Sequence, residues 1–332
     1  MGFWSHAAFG PERSRITAAE QHRWFDRWLK GIRNGIDTEP PLHYAVIDDS
    51  TRWTWESAPG WPVPGVTNAT WLFGPGRSGS IESPNDGVLA PAAGAPGRDA
   101  YLVDRTTTTG TSTRWDHTVG QGPMRYPTFE AAEARGLTYT TAPLAADLEV
   151  LGYPVVTLYL TTDQPDADVH VTLSEVDEQG AARYVTEGQL RASHRRTAAP
   201  PWNNLGLPWH PSRRADLQPL VPGQPAVLRF VLQPTATLFN RGHRLRIAVT
   251  GADADNTEPP PGSGPTTLTI LRDPAHPSAV MLPVRGQAQA VPVEREPDHR
   301  TVLHNRYLEG TVTHALRSAG KDKGIVVEFE LK

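Results

Sequence analysis

The chain has 332 residues, a formal net charge of −4 from 32 Lys and Arg against 36 Asp and Glu, and no cysteine. Mixed-sign charge without a basic stripe argues against a nucleic-acid partner, and the missing thiols exclude disulfides and thiolate metal sites. No stretch nears the roughly 20 apolar residues of a membrane span, and no signal-peptide pattern opens the chain, so no membrane partner and a cytoplasmic location are expected.

The first strongly written element is a helix at about residues 17–31. Thr17-Ala18-Ala19-Glu20 has the capping-box pattern, in which a hydroxyl and a carboxylate satisfy orphan amides at a helix start. Phe25, Trp28, Leu29 and Ile32 follow at helical spacing as one apolar face with Trp24 at its margin, and Gly31 and Gly35 offer the stop.

After Pro40-Pro41 the period changes to two. Val169, Val171 and Leu173 alternate with His170, Thr172 and Ser174, and the same pattern recurs at 228–232, 244–249 and 327–331. Such alternation predicts half-buried antiparallel strands. Further strands are predicted near 42–47, 70–73, 138–141, 147–151, 155–161, 183–191, 266–271 and 279–284, with a short helix at 130–136. Four stretches rich in Gly, Pro, Ser or Thr read as loops: 74–97, 107–126, 195–225 and 251–265. Loops of that length in a compact domain are functional or mobile. About ten short strands with few helices predict a mainly β fold, a sandwich of jelly-roll type preceded by one helix.

Residues with chemistry in them are sparse. Gly76-Arg77-Ser78-Gly79-Ser80 comes nearest to a nucleophile elbow, but its second glycine is misplaced and no strand precedes or helix follows it, so Ser78 reads as loop. His299 and His304 lie five apart, and there is no His-Glu-x-x-His, calcium-loop or Gly-x-Gly-x-x-Gly pattern; neither a metal nor a cofactor is expected. Trp53, Trp55, Trp61 and Trp71 cluster in one segment, where packing on the sandwich edge or against a neighbouring domain is expected over a sugar or acyl pocket. The acidic stretch at 163–168 reads as a turn between strands.

Several strings in order resemble one known group. They are Gly2-Phe3-Trp4-Ser5-His6, then Arg23-Trp24-Phe25-Asp26-Arg27-Trp28-Leu29-Lys30-Gly31, then Tyr139-Thr140-Thr141-Ala142-Pro143-Leu144, Leu158-Tyr159-Leu160-Thr161-Thr162-Asp163, Gly242-His243-Arg244-Leu245-Arg246-Ile247 and His276-Pro277-Ser278. Together they look like the C-terminal part of the cocaine esterase and X-Pro dipeptidyl-peptidase family of serine hydrolases, over roughly residues 1–285. The resemblance implies an α/β-hydrolase tail at 1–40 and a jelly-roll (galactose-binding-like) domain at 41–285; the alternation at 327–331 separately predicts an extension with strands at 286–332. It also implies esters, amides or X-Pro peptides as substrates of the full enzymes, a Ser-His-Asp triad, and a β-domain that helps close the active site. His6 stands where the family's catalytic histidine stands, with Phe3 in place of the usual proline.

The triad's serine and aspartate have no counterpart in this sequence. A histidine acts as general base only with a hydroxyl in reach and a carboxylate orienting its other nitrogen. Loss of a triad serine costs roughly a million-fold in subtilisin. The expectation is a non-catalytic part of a serine hydrolase, inactive alone. The alternative is a stand-alone jelly-roll module binding carbohydrate or peptide, or an assembly subunit. The helix bears on the partner: burying Trp24, Phe25, Trp28 and Leu29 is worth roughly 1.5–3 kcal/mol each. That face therefore docks on the β-domain, pairs with its copy in a homodimer, or completes a hydrolase catalytic chain.

Overall fold

The computed structural model describes residues 11–48, 52–114, 126–262 and 264–286, with side chains from Ala18 onward. Helix α1 (Pro11–Lys30) leads into β1 (Leu42–Ile47), β2 (Trp53–Ala58), β3 (Thr67–Gly74), β4 (Asn85–Ala90) and β5 (Gly97–Leu102). A short helix α2 (Phe129–Glu133) precedes β6 (Leu137–Thr140), β7 (Leu148–Gly152), β8 (Val155–Thr162), β9 (Asp168–Val176) and β10 (Ala182–Arg191). The chain continues through β11 (Ala226–Val231), β12 (Thr235–Phe239), β13 (Arg244–Thr250), β14 (Thr267–Asp273), β15 (His276–Pro277) and β16 (Ala279–Arg285). Single 3₁₀ turns sit at Ala192–His194 and Arg214–Asp216.

One sheet runs β10-β9-β13-β6-β4-β3-β16, and a second runs β11-β8-β14-β5. They meet at β16, which pairs with β3 along one edge and with β8 and then β7 along the other. Beyond β7 the order continues through β12, β1 and β2. Between the sheets lies one apolar core. Val169, Val171 and Leu173 of β9 and Leu245, Ile247 and Val249 of β13 share it with Val156, Leu158 and Leu160 of β8, Leu228 and Phe230 of β11, and Leu268 and Ile270 of β14. The period-two side chains are the ones enclosed, as their alternation requires. A smaller cluster of Tyr44, Val46, Ala58, Val63 and Leu151 underlies β1 and β2.

Buried charges staple the layers. Arg246 of β13 meets Glu133 of α2 at 3.0 Å and donates to Ser80 O at 2.7 Å, while Ser174 Oγ donates to Glu133. Burial pushes the Glu133 carboxyl up despite the arginine. Arg272 of β14 forks onto Asp99 of β5 at 2.7 and 3.0 Å, and Tyr139 Oη donates to the same carboxylate. At the end of β16, Arg285 bridges Glu149 of β7 (2.6 Å), Tyr44 of β1 (3.2 Å) and Glu56 of β2 (2.5 Å).

The mainly β sandwich preceded by one helix agrees with the alternation. Several local expectations need correction. The helix begins at Pro11, so Thr17 lies inside it and does not cap it; proline is suited to a first helical position, where no N–H is needed. Its stop is as expected, with Gly31 at φ 70. The loop at 74–97 contains β4, and β2, β5, β12 and the two-residue β15 were not foreseen. β4 hides behind turn-forming residues: Asn85-Asp86-Gly87 would be a turn locally. Here Asp86 is buried, accepting from Gly79 N at 2.7 Å and from Ser78, and Gly87 lies so near the Tyr139 ring that a Cβ would sit 2.7 Å from it. The expected extension at 286–332, including the strand at 327–331, lies outside the described residues.

Replacing Arg285 with methionine leaves Glu56 buried without its cation, and breaking such a pair costs about 3–5 kcal/mol. Urea unfolding should show that loss as a lower midpoint at unchanged slope. Adding Glu56→Leu to Arg285→Met should recover part of it, because the stranded charge is gone.

Candidate docking face

Helix α1 has its amphipathicity turned inside out. Its apolar residues are exposed, Trp24 at 54%, Phe25 at 52%, Trp28 at 54% and Leu29 at 76%, while Arg23, Asp26 and Arg27 are half-buried. The polar side is tied to the segment that follows. Arg23 pairs with Glu39 and, at 3.0 Å, with Glu20; Arg27 reaches Asp37 at 2.6 Å; Asn34 Nδ2 donates to Arg23 O at 2.7 Å. The Arg27 hydrogen bond holds the Asp37 carboxyl below its ordinary value. Outward, Trp24 and Trp28 lie 5.7 Å apart at 53°, with the Arg27 guanidinium 5.0 Å from the Trp28 ring. Four adjacent exposed apolar side chains form the kind of patch that marks an interaction surface. Of the three fates open to this face, docking on the β-domain is the one the structure does not adopt.

His6, His299 and His304 lie outside the described residues. Ser78 sits in the loop before β4, its hydroxyl bound to Asp86 and, at 2.8 Å, to Ser80. That anchors a loop; it does not activate a nucleophile. A Ser-His-carboxylate alignment occurs at Ser57, whose Oγ is 2.7 Å from His43 Nδ1, with Glu39 3.8 Å from His43 Nε2. Ser57 and His43 are directly opposed on β2 and β1. Ser57 lies within a strand and not on a strand-to-helix turn, and Glu39 is already held by Arg23, so the alignment lacks the geometry of a triad. Trp61 packs on the small core and Trp71 on the main one, while Trp53 and Trp55 sit half-buried on β2. The stretch at 163–168 joins β8 to β9 as expected. Among the described residues, no three His, Asp or Glu side chains gather to hold a metal ion, and no helix is long and apolar enough to cross a membrane.

Two long loops turn out to be one unit. Buried Asp253 accepts from Thr109 N at 3.0 Å, Thr109 Oγ1 at 2.6 Å and Asn256 Nδ2 at 2.8 Å, and Ala254 N donates to Thr107 O. Nearby, Arg114, Tyr126 and Tyr184 close over Glu187 of β10, whose carboxyl is pushed up by burial. The sequence showed these loops but not their pairing. It also left Trp202 and Trp209 unremarked; two indoles inside a proline-rich loop were the available signal.

Residues 34–281 match the family described as the X-Pro dipeptidyl-peptidase C-terminal non-catalytic domain. The chain is 41% identical to a putative serine esterase of Mycobacterium tuberculosis, covering 79% of this chain and 40% of that protein. It is 25% identical to a putative Xaa-Pro dipeptidyl-peptidase of Streptomyces avermitilis, covering 81% and 39% respectively. The chain thus spans about two fifths of the length of these relatives. In fold it is similar to a CocE/NonD family hydrolase from Staphylococcus aureus, with a TM-score of 0.61, 17% identity, and cover of 82% of this chain and 46% of that one.

Because the face is open, Trp28→Ser should change the unfolding free energy of the chain alone by at most about 1 kcal/mol, the worth of an exposed cation–π contact. Chemical denaturation checks this. A loss of about 3–5 kcal/mol, typical of a deleted core aromatic, would mean that the face is covered.

Proposed function

The chain belongs to the X-Pro dipeptidyl-peptidase C-terminal non-catalytic domain family, and from that membership we propose that it serves as the β-sandwich part of a serine hydrolase, without hydrolytic activity of its own. The observation that carries this reading is α1. Its apolar side is built for burial, yet its polar side is the one fastened to this chain. An α/β-hydrolase body laid over Trp24, Phe25, Trp28 and Leu29 gives those side chains their missing cover, worth roughly 1.5–3 kcal/mol each when fully buried.

Docking through α1 also has a chemical consequence. His6 precedes Pro11 by five residues, so it can reach no more than roughly 17 Å beyond the helix start. Seating α1 would hold that imidazole close to the hydrolase body. There it would take the proton from a serine hydroxyl as the acyl bond forms and return it to the leaving group. On this reading the sandwich positions the base and excludes water, while the nucleophile and the orienting carboxylate come from the hydrolase body. Esters, amides and X-Pro peptides are the substrate classes named by the resemblance.

The test uses p-nitrophenyl butyrate. The chain alone should not hydrolyse it above background. A chimera in which this chain from Gly2 onward replaces the matching portion of the Mycobacterium tuberculosis esterase should do so, with sensitivity to a serine-directed inhibitor. His6→Ala should then remove roughly 10⁴-fold or more of the chimera's turnover. Serine-inhibitable turnover by the chain alone would overturn the proposal.

A further inference from the structure

We propose that the loop at 195–225 is a second contact patch for the same hydrolase body, an inference that rests on the function proposed above. Area is the first argument. A buried aromatic covers about 150–250 Å², so the half-exposed face of α1 offers on the order of 400 Å². A stable interface takes about 800 Å² from each partner. The helix supplies roughly half of what a lasting contact needs, and another apolar surface has to supply the rest.

The loop has that surface. Trp202 is 56% exposed and Leu205 43%, and Trp202 stands edge-on to Trp209 with ring centres 5.4 Å apart. The tip is built, not slack. Asn204 Nδ2 bonds Leu207 O at 2.6 Å, Ala198 N bonds Trp209 O at 3.0 Å, and His210 reaches His194 O at 3.0 Å and Arg229 O at 3.1 Å. Leu205 at φ 60 and Ser212 at φ 53 are the non-glycine residues with left-handed backbone among the described residues. Each such conformation costs on the order of 1–3 kcal/mol and persists where surrounding structure imposes it, often at contact sites. Prolines 200, 201, 208 and 211 stiffen the segment further, so little conformational freedom remains to be lost on docking.

Placement is the second argument. β11 and β12 continue one another along β8 and β7, with Val231 opposite Val155 and Thr235 opposite Gly152. β1, which follows α1, joins this composite strand at Thr237, and His210 of the loop joins it at Arg229. Those points are eight residues apart, about 26 Å at roughly 3.3 Å per residue. A domain of a few hundred residues is about 40 Å or more across and can span both. Charge states the partner's chemistry. The loop carries Arg195, Arg196, Arg213 and Arg214 against Asp216, so the surface that meets it should be apolar at the centre and acidic at the rim.

Hydroxyl-radical footprinting of the chain alone and of the chimera described above tests the inference. Oxidation of both Trp28 and Trp202 should fall by about fivefold in the chimera, as expected when half-exposed rings enter the dry centre of an interface. Protection of Trp28 with Trp202 as reactive as before would overturn the second patch and leave the proposed function standing. Protection of neither would overturn both. As an independent check, Trp202→Ser with Leu205→Ser should leave the melting point of the chain alone unchanged and lower that of the chimera; equal melting points for both chimeras would again sink the second patch.

Discussion

The guanidinium of Arg285 is the constraint on which the rest of this structure depends. It closes the end of β16 and reaches three strands at once, through Glu149, Tyr44 and Glu56. Two carboxylates brought that close inside a protein would repel each other; with a planar cation between them they hold β1 and β2 to the sandwich. A small apolar cluster, the pairing of β1 with β12 at Thr237, and the bonds of Arg183 and Asn240 to Asp48 support that hairpin as well. From β1 the order passes outward, through His43 and Glu39 to Arg23, and so to α1. The helix is thus oriented by its polar contacts with the 34–39 segment, which runs directly into the hairpin that the buried arginine holds to the sandwich.

Energetics are the ground for the partner proposed above. Exposed ion pairs such as Arg27 with Asp37 contribute about 0–1 kcal/mol each. Burial of a large apolar side chain contributes roughly 1.5–3 kcal/mol. A free helix of this composition would turn its rings inward, and here it does the reverse. The polar contacts with the 34–39 segment and the tether to β1 hold it so, leaving the larger favourable term unrealised in this chain. Membership of a family of C-terminal non-catalytic domains is why a hydrolase body is the surface proposed.

The sandwich itself is a rigid support. Its core is made mostly of β-branched and leucine side chains, with a few aromatic rings, and has almost no exposed area; dense packing of that kind transmits position faithfully. Features that differ from plain scaffold lie in the loops, where surface position permits binding without cost to the core. Asp253 locks two of them together, and seven prolines and a histidine clamp stiffen a third.

The strands at 155–162, 168–176 and 244–250 were legible because period-two alternation directly encodes a two-faced environment, and the face of α1 was legible because its period is 3.6. β2 escaped because one of the two residues it buries is Glu56, which reads as an outward charge until Arg285 is seen beside it. β4 escaped because Asp86 and Gly87 spell a turn until the Ser78 loop and the Tyr139 ring are in place. By itself the sequence determined which residues share a face and which family the motifs resemble. Tertiary structure alone decided which way α1 points and which loops stand together. The reason is one of range: periodicity is written by neighbours along the chain, whereas orientation and loop pairing are fixed by side chains that meet only once the chain has folded back on itself.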